Sequence, residues 1–182
     1  YGMIDLSGRF SIPAVFEELV RIHRSFVKSK NGDGQWGVLN FRGDTILPFQ
    51  YDYIGEFRMS RAMVVKGIKC GFIAENGNLD IPVNYQYTSV MKSEGCFRNG
   101  FQTLKLKGKF VVLDTAGTVH LFPGAEALGD LSEGLLPVMK NKKWGYTDLQ
   151  NKIKIAPKYE LAGTFVNGLA KIRLKKQCGV VD

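Results

Sequence analysis

Three glycines in this chain, Gly32, Gly34 and Gly37, fall at the spacing G-x-G-x-x-G. In a dinucleotide site that pattern lays a tight turn beneath a pyrophosphate at the start of a helix. Here the residues that follow, Trp36-Gly37-Val38-Leu39-Asn40, are β-branched or aromatic and read as a strand, so a hairpin turn is expected instead. His23 and His120 are the only histidines. Neither has a metal-ligand partner at close spacing, and neither HExxH nor GxSxG occurs. Cys70, Cys96 and Cys178 are odd in number and lack CxxC spacing, which fits neither a disulfide framework nor a zinc site. Cys70 and Cys178 read as small buried hydrophobes and Cys96 as a turn residue. The expectation is a chain with no catalytic residue, metal ligand or cofactor, and no enzymatic activity.

Charge is the second kind of chemistry on offer. The net charge is +8, and residues 137–182 hold ten Lys/Arg against three Asp/Glu. Lys152, Lys154, Lys171, Arg173 and Lys175 alternate with apolar residues, a period of two that sends them to one side of a strand. They form the candidate binding face, expected to be one shared sheet face. Solvated lysines on an outer strand also oppose edge-to-edge pairing. No nucleic-acid-binding motif accompanies them. Another protein is the expected partner; a nucleic acid, anionic polymer or glycan on the basic face is the alternative.

The elements that must position these residues recur along the chain. Trp36-Gly37 and Trp144-Gly145 are matched in register by Tyr1-Gly2, Cys70-Gly71, Phe110-Val111 and Cys178-Gly179, so repeat frames are anchored near 1, 36, 70, 110, 144 and 178, with steps of 35, 34, 40, 34 and 34 residues. Three residues after the glycine comes Asp5, Asn40, Ala74, Asp114 or Asp148, and three further on Gly8, Gly43, Gly77, Gly117 or Asn151. Asp or Asn opening a turn, and Gly or Asn in a left-handed conformation closing it, make a hairpin. Pro13, Pro48 and Pro82 lead to an aromatic at Phe16, Tyr51 or Tyr85. Tyr159 fills the same slot, and Glu17, Asp52, Gln86 and Glu160 come next. Such residues usually bond their own loop. The fourth copy has Pro123-Gly124-Ala125-Glu126 where others have the aromatic, which marks residues 121–130 as the place for altered packing or a special surface.

Trp36-Gly37-Val38-Leu39-Asn40, Ile46-Leu47-Pro48-Phe49-Gln50-Tyr51-Asp52, Lys142-Lys143-Trp144-Gly145-Tyr146 and Phe165-Val166-Asn167-Gly168-Leu169-Ala170 resemble the WG-repeat (KWG-repeat) family over essentially the whole chain. The resemblance implies a bacterial binding or scaffolding repeat with no common activity, so no functional residue carries over. Trp36, Gly37, Trp144 and Gly145 are its structural anchors. The Trp slot departs from the pattern at Tyr1, Cys70, Phe110 and Cys178.

The expected fold is all-β: a tandem array of about five three-stranded antiparallel meanders over 1–182. An open, solenoid-like arrangement is favoured, and propeller-like closure is the alternative. One meander cannot bury both its faces, so neighbours must stack. The segment after Pro48 is expected to include a helical turn, and residues 16–26 a short amphipathic helix. Nothing approaches 18 consecutive apolar residues, so no transmembrane helix is expected. The first residues show neither a basic nor an apolar signal region and look like the middle of a domain of a longer chain. An exported or cell-envelope location is therefore left open.

Overall fold

The chain is described by a computed structural model over residues 1–87 and 97–182. The described residues form strands and turns, with no helix. Their contacts divide into two units, Tyr1–Cys96 and Phe97–Asp182. In the first unit, β1 (Met3–Ile4) pairs with β2 (Phe10–Ile12). A four-stranded sheet follows in chain order: β3 (Glu18–Arg21), β4 (Phe26–Lys30), β5 (Trp36–Asn40) and β6 (Thr45–Tyr51). The next repeat has the same plan in β7 (Tyr53–Ile54), β8 (Arg61–Lys66), β9 (Lys69–Ala74) and β10 (Leu79–Gln86), each antiparallel to the next.

In the second unit, β11 (Phe101–Leu106), β12 (Lys109–Asp114) and β13 (Val119–Leu121) form a meander. A four-stranded sheet holds β14 (Ala127–Leu128), β15 (Leu136–Lys140), β16 (Lys143–Thr147) and β17 (Ile153–Tyr159). A three-stranded sheet holds β18 (Leu161–Ala162), β19 (Ala170–Leu174) and β20 (Gln177–Val181). The chain is thus an all-β tandem array of small antiparallel sheets. The expected meander is present and gains a leading strand of two residues at β7, β14 and β18. Two residues are too short to show alternation, so sequence periodicity could not reveal it.

The turns form for the anticipated reason. Asp148 Oδ1 accepts the N–H groups of Gln150 at 3.1 Å and Lys152 at 2.8 Å, while Asn151 N–H bonds the Asp148 carbonyl. Asp5, Asn40 and Asp114 repeat the arrangement. Ala74 has no such oxygen, and there Asn76 Oδ1 accepts Asn78 N–H at 2.9 Å. Gly8, Gly43, Gly77, Gly117 and Asn151 all have positive φ, between 58° and 89°, where only Gly or Asn sits comfortably. The same device folds the G-x-G-x-x-G segment: Asn31 Oδ1 accepts Asp33 and Gln35 N–H and Gly34 has φ 77°. It is a hairpin turn, as expected.

The core lies between successive sheets. In the first unit, Phe26, Val38, Leu47 and Tyr51 of one sheet pack with Ile54, Ala62, Val64 and Ile73 of the next. Residues 62–65 of β8 are buried without alternation, the signature of a strand covered on both faces. In the second unit, Tyr146 and Tyr159 pack with Phe165 and Ala170. The two helical expectations are overturned. Residues 16–26 contain β3, whose register against β4 runs from Glu18↔Lys30 to Arg21↔Val27. Phe49, Gln50 and Tyr51 belong to β6, and Tyr53 and Ile54 to β7. Apolar spacing there suited a helix, but backbone bonds to the neighbouring strand decided the conformation.

Candidate functional site

The anchor dipeptide has a structural task, and the glycine carries the tighter constraint. From Trp144 to Tyr146 strand β16 advances two residues, while its partner advances four, from Ile155 to Tyr159. The surplus bulges over Gly145. A Cβ there would lie 2.4 Å from the Ile155 carbonyl oxygen and 2.7 Å from Pro157 N. The same bulge covers Gly71, whose Cβ would lie 2.5 Å from the Ile81 carbonyl oxygen, and Gly37, whose Cβ would meet the Phe49 ring at 2.9 Å. Pro48, Pro82 and Pro157 sit in these bulges, where a strand tolerates a missing N–H. Phe110-Val111 confirms the cause by exception: Val111 pairs with Leu121 in regular register without a bulge.

Trp36, Cys70 and Trp144 occupy equivalent strand positions, opposite Tyr51, Tyr85 and Tyr159. The fourth copy keeps an aromatic after all: Phe122 is buried and its N–H bonds the Phe110 carbonyl. Trp36 and Trp144 are half-buried rather than enclosed; over the Trp36 ring the Lys28 ammonium lies 5.2 Å from the centroid, a cation–π cover. Cys70 is fully buried, but Cys178 is exposed, because β20 pairs with β19 alone among the described strands. Cys96 lies outside the described residues.

The acidic residues that follow the aromatic slot hold backbone. Asp52 accepts Gly67 N–H at the tip of the β8–β9 hairpin. Glu160 accepts Lys176 N–H at 3.3 Å at the β19–β20 tip. Glu126, not recognised from sequence as an equivalent, accepts both Asn141 and Lys142 N–H, at 2.9 and 3.0 Å, at the β15–β16 tip. Between repeats, Glu133 accepts Asn167 N–H at 2.7 Å and Gly168 N–H at 2.9 Å. Tyr146 donates its hydroxyl to the Gly163 carbonyl at 2.9 Å, and burial pushes its pKa up to about 12.

The five basic residues of the candidate face are all exposed but do not share one sheet. Lys152 immediately precedes β17 and Lys154 lies on it; Lys171 and Arg173 lie on β19, and Lys175 is in the following turn. Ala170 and Ile172 face inward as the alternation required, while Leu174 is partly exposed. Lys154 is paired with Asp148 at 3.1 Å and Arg173 with Glu160 at 3.3 Å. Among the described residues no group of three or more His, Cys, Asp or Glu is placed to hold a metal ion, and no helix is long and apolar enough to cross a membrane. His120 stands 3.8 Å from Asp114 beside a turn.

With this geometry in place, the family follows. The model of the WG-containing repeat matches residues 1–28, 36–70, 126–144 and 144–178, and the chain belongs to that family. No curated protein matches. Among solved structures, the computationally designed protein Ika8 is similar, with TM-score 0.41 and 13% identity, over 96% of this chain and 62% of that one. PorZ, an essential bacterial surface component of the type-IX secretion system of Porphyromonas gingivalis, is similar with TM-score 0.31 and 9% identity, over 91% of this chain. The chain spans about three-fifths of the length of Ika8 and 27% of that of PorZ.

Proposed function

We propose that this chain is a non-catalytic interaction module that binds another protein through the outer surfaces of its sheets. One observation carries the reading: the polar residues that recur from repeat to repeat are engaged in building the fold. Asp5, Asn40, Asp114 and Asp148 hold the turns, and Asp52, Glu126 and Glu160 hold the hairpin tips. A repeated frame of this kind supports a surface that differs from copy to copy, which suits recognition. Polyanion or glycan binding across Lys152, Lys154, Lys171, Arg173 and Lys175 is the weaker reading, since two of the five are already ion-paired and the set is divided between sheets.

The test is capture from a lysate of the source organism on the immobilised chain, followed by calorimetry with the purified candidate. Stoichiometric rebinding at 150 mM salt supports the reading. Binding of soluble glycans or polyanions, with no protein that rebinds, would overturn it.

A further inference from the structure

Two of the three hairpin tips of the second unit, Asn141-Lys142 and Lys175-Lys176, break a local rule that the turns before β11, β15 and β19 obey. The turns leading into β11, β15 and β19 place Asn99-Gly100, Glu133-Gly134 and Asn167-Gly168 at positive φ, each with Gly at one of its two left-handed positions and two of the three with Asn at the other. The tips that follow in the same sheets place Lys107-Gly108, Asn141-Lys142 and Lys175-Lys176 at positive φ. Lysine has no local hydrogen bond to compensate a left-handed backbone, so four lysines sit where Asn or Gly would be easier. Lys107, Lys142, Lys175 and Lys176 are all exposed, as are Lys105, Lys109 and Lys143 beside them. Among the described residues no carboxylate forms an ion pair with any of these seven. Glu126 and Glu160 grip the backbone N–H groups at the base of two tips and fix their shape.

We infer that these lysine tips, one in each successive sheet of the second unit, form a docking edge for an acidic polypeptide segment of a partner protein. The inference rests on the protein-binding reading and names the partner's chemistry. Residues that break a local structural preference without a packing gain mark places kept for another purpose. A tip recurring once per repeat presents positive charge at intervals, which suits an extended run of Asp or Glu. The ammonium is a point charge that takes single carboxylates, whereas phosphate and base recognition favour the arginine fork. No arginine stands at these tips. Among the described residues the exposed aromatic side chains, Tyr1 and Phe10, belong to the first unit, so no exposed ring stands at these tips for a base to stack on.

The experiment uses fluorescein-labelled oligoglutamate and the whole chain, read by anisotropy over a salt series. Oligo-dT and heparin of matched charge serve as competitors. The wild type should bind oligoglutamate, with affinity falling as salt rises. The triple variant Lys107→Asn, Lys142→Asn, Lys175→Asn should bind at least about tenfold more weakly. It should also melt higher, by about 2–4 °C per substitution, because Asn is easier than Lys at positive φ. A variant with Lys152→Asn and Lys154→Asn should keep its affinity within about twofold. Unchanged binding by the triple variant overturns the inference, as does tighter binding of oligo-dT or heparin than of oligoglutamate. A wild type that ignores oligoglutamate also overturns it, while the protein-binding reading is decided separately by capture and rebinding.

Discussion

Glu133 reaches one repeat ahead, its Oε1 accepting the backbone N–H of Asn167 at 2.7 Å. The second oxygen takes the next N–H in the same turn, that of Gly168. One carboxylate thereby fixes two left-handed residues of the neighbouring sheet, and a solvent-facing side chain becomes a fastener between repeats. Glu133→Ala should lower the melting temperature by about 2–4 °C, and Glu133→Gln, with one acceptor oxygen left, by about half as much. Scanning calorimetry of the three proteins checks this; an unaltered midpoint in the alanine variant would show that the bond contributes nothing.

Gly145→Ala is expected to be among the costliest small substitutions in the chain. A methyl group placed 2.4 Å from a carbonyl oxygen must push the bulged strand away, at about 1–3 kcal/mol for overpacking. Gly134→Ala meets open space and carries only its left-handed conformation, so it should cost about 1 kcal/mol. Urea titrations should rank the two in that order. The reverse order would refute the role assigned to the bulge.

Acid should weaken the turns. Backbone N–H of Lys152 is the largest influence holding the Asp148 carboxyl below its usual value, with Lys154 assisting against partial burial. Burial acts first on Asp114 and raises its pKa, but the N–H groups and hydroxyl around it prevail and lower it. Asp5 is lowered by Ser7 and Arg9. A depressed folded pKa means that the stabilisation is complete above the unfolded value near 3.8 and is lost as pH falls through the folded value. Asp148→Asn keeps the acceptor oxygen, as Asn40 does naturally, and should flatten part of that decline. Melting temperatures between pH 2 and pH 6 provide the comparison.

Alkali should act through Tyr146. Its pKa, raised by burial to about 12, lies above the unfolded value of 10, so its contribution is present below pH 10 and disappears as pH climbs toward 12. In a spectrophotometric titration one phenol should ionise late and together with unfolding. Tyr146→Phe should remove that late step and cost about 1 kcal/mol for the bond to Gly163. A variant that titrates like the wild type would place the late phenol elsewhere.

Much of the fold was legible in sequence because its punctuation is chemical. An Asp or Asn followed three residues later by Gly or Asn, as at Asp114-Gly117 and Asp148-Asn151, determines a turn within its own few residues. What was not legible depended on partners distant in sequence. Val20 and Leu19 fit a helix by spacing and became strand only through β4. The pair Tyr53-Ile54 is too short to announce a strand. Trp36 and Trp144 stand out in the sequence as anchors, yet these half-buried tryptophans yield in strictness to the glycine, whose crowding arises from a strand about ten residues away. The candidate basic residues do not share one sheet face for a related reason. Alternation fixes which side of a strand a lysine takes, not which sheet the strand joins, and Lys154 and Lys171 ended on different sheets. The strain at the lysine tips has no signature in the sequence, because the left-handed φ values at Lys142 and Lys175 appear only in three dimensions.

Gly145 and the bulge above it behave as one inherited unit. A copy that exchanges its glycine for a larger residue must at the same time shed the surplus residues opposite, as the copy with Val111 has done with its three-residue β13. Either change alone passes through a damaged intermediate: a side chain with nowhere to go, or a gap above bare backbone. The two positions are therefore epistatic. Divergence between repeats should proceed by paired steps here, while the exposed strand residues drift one at a time.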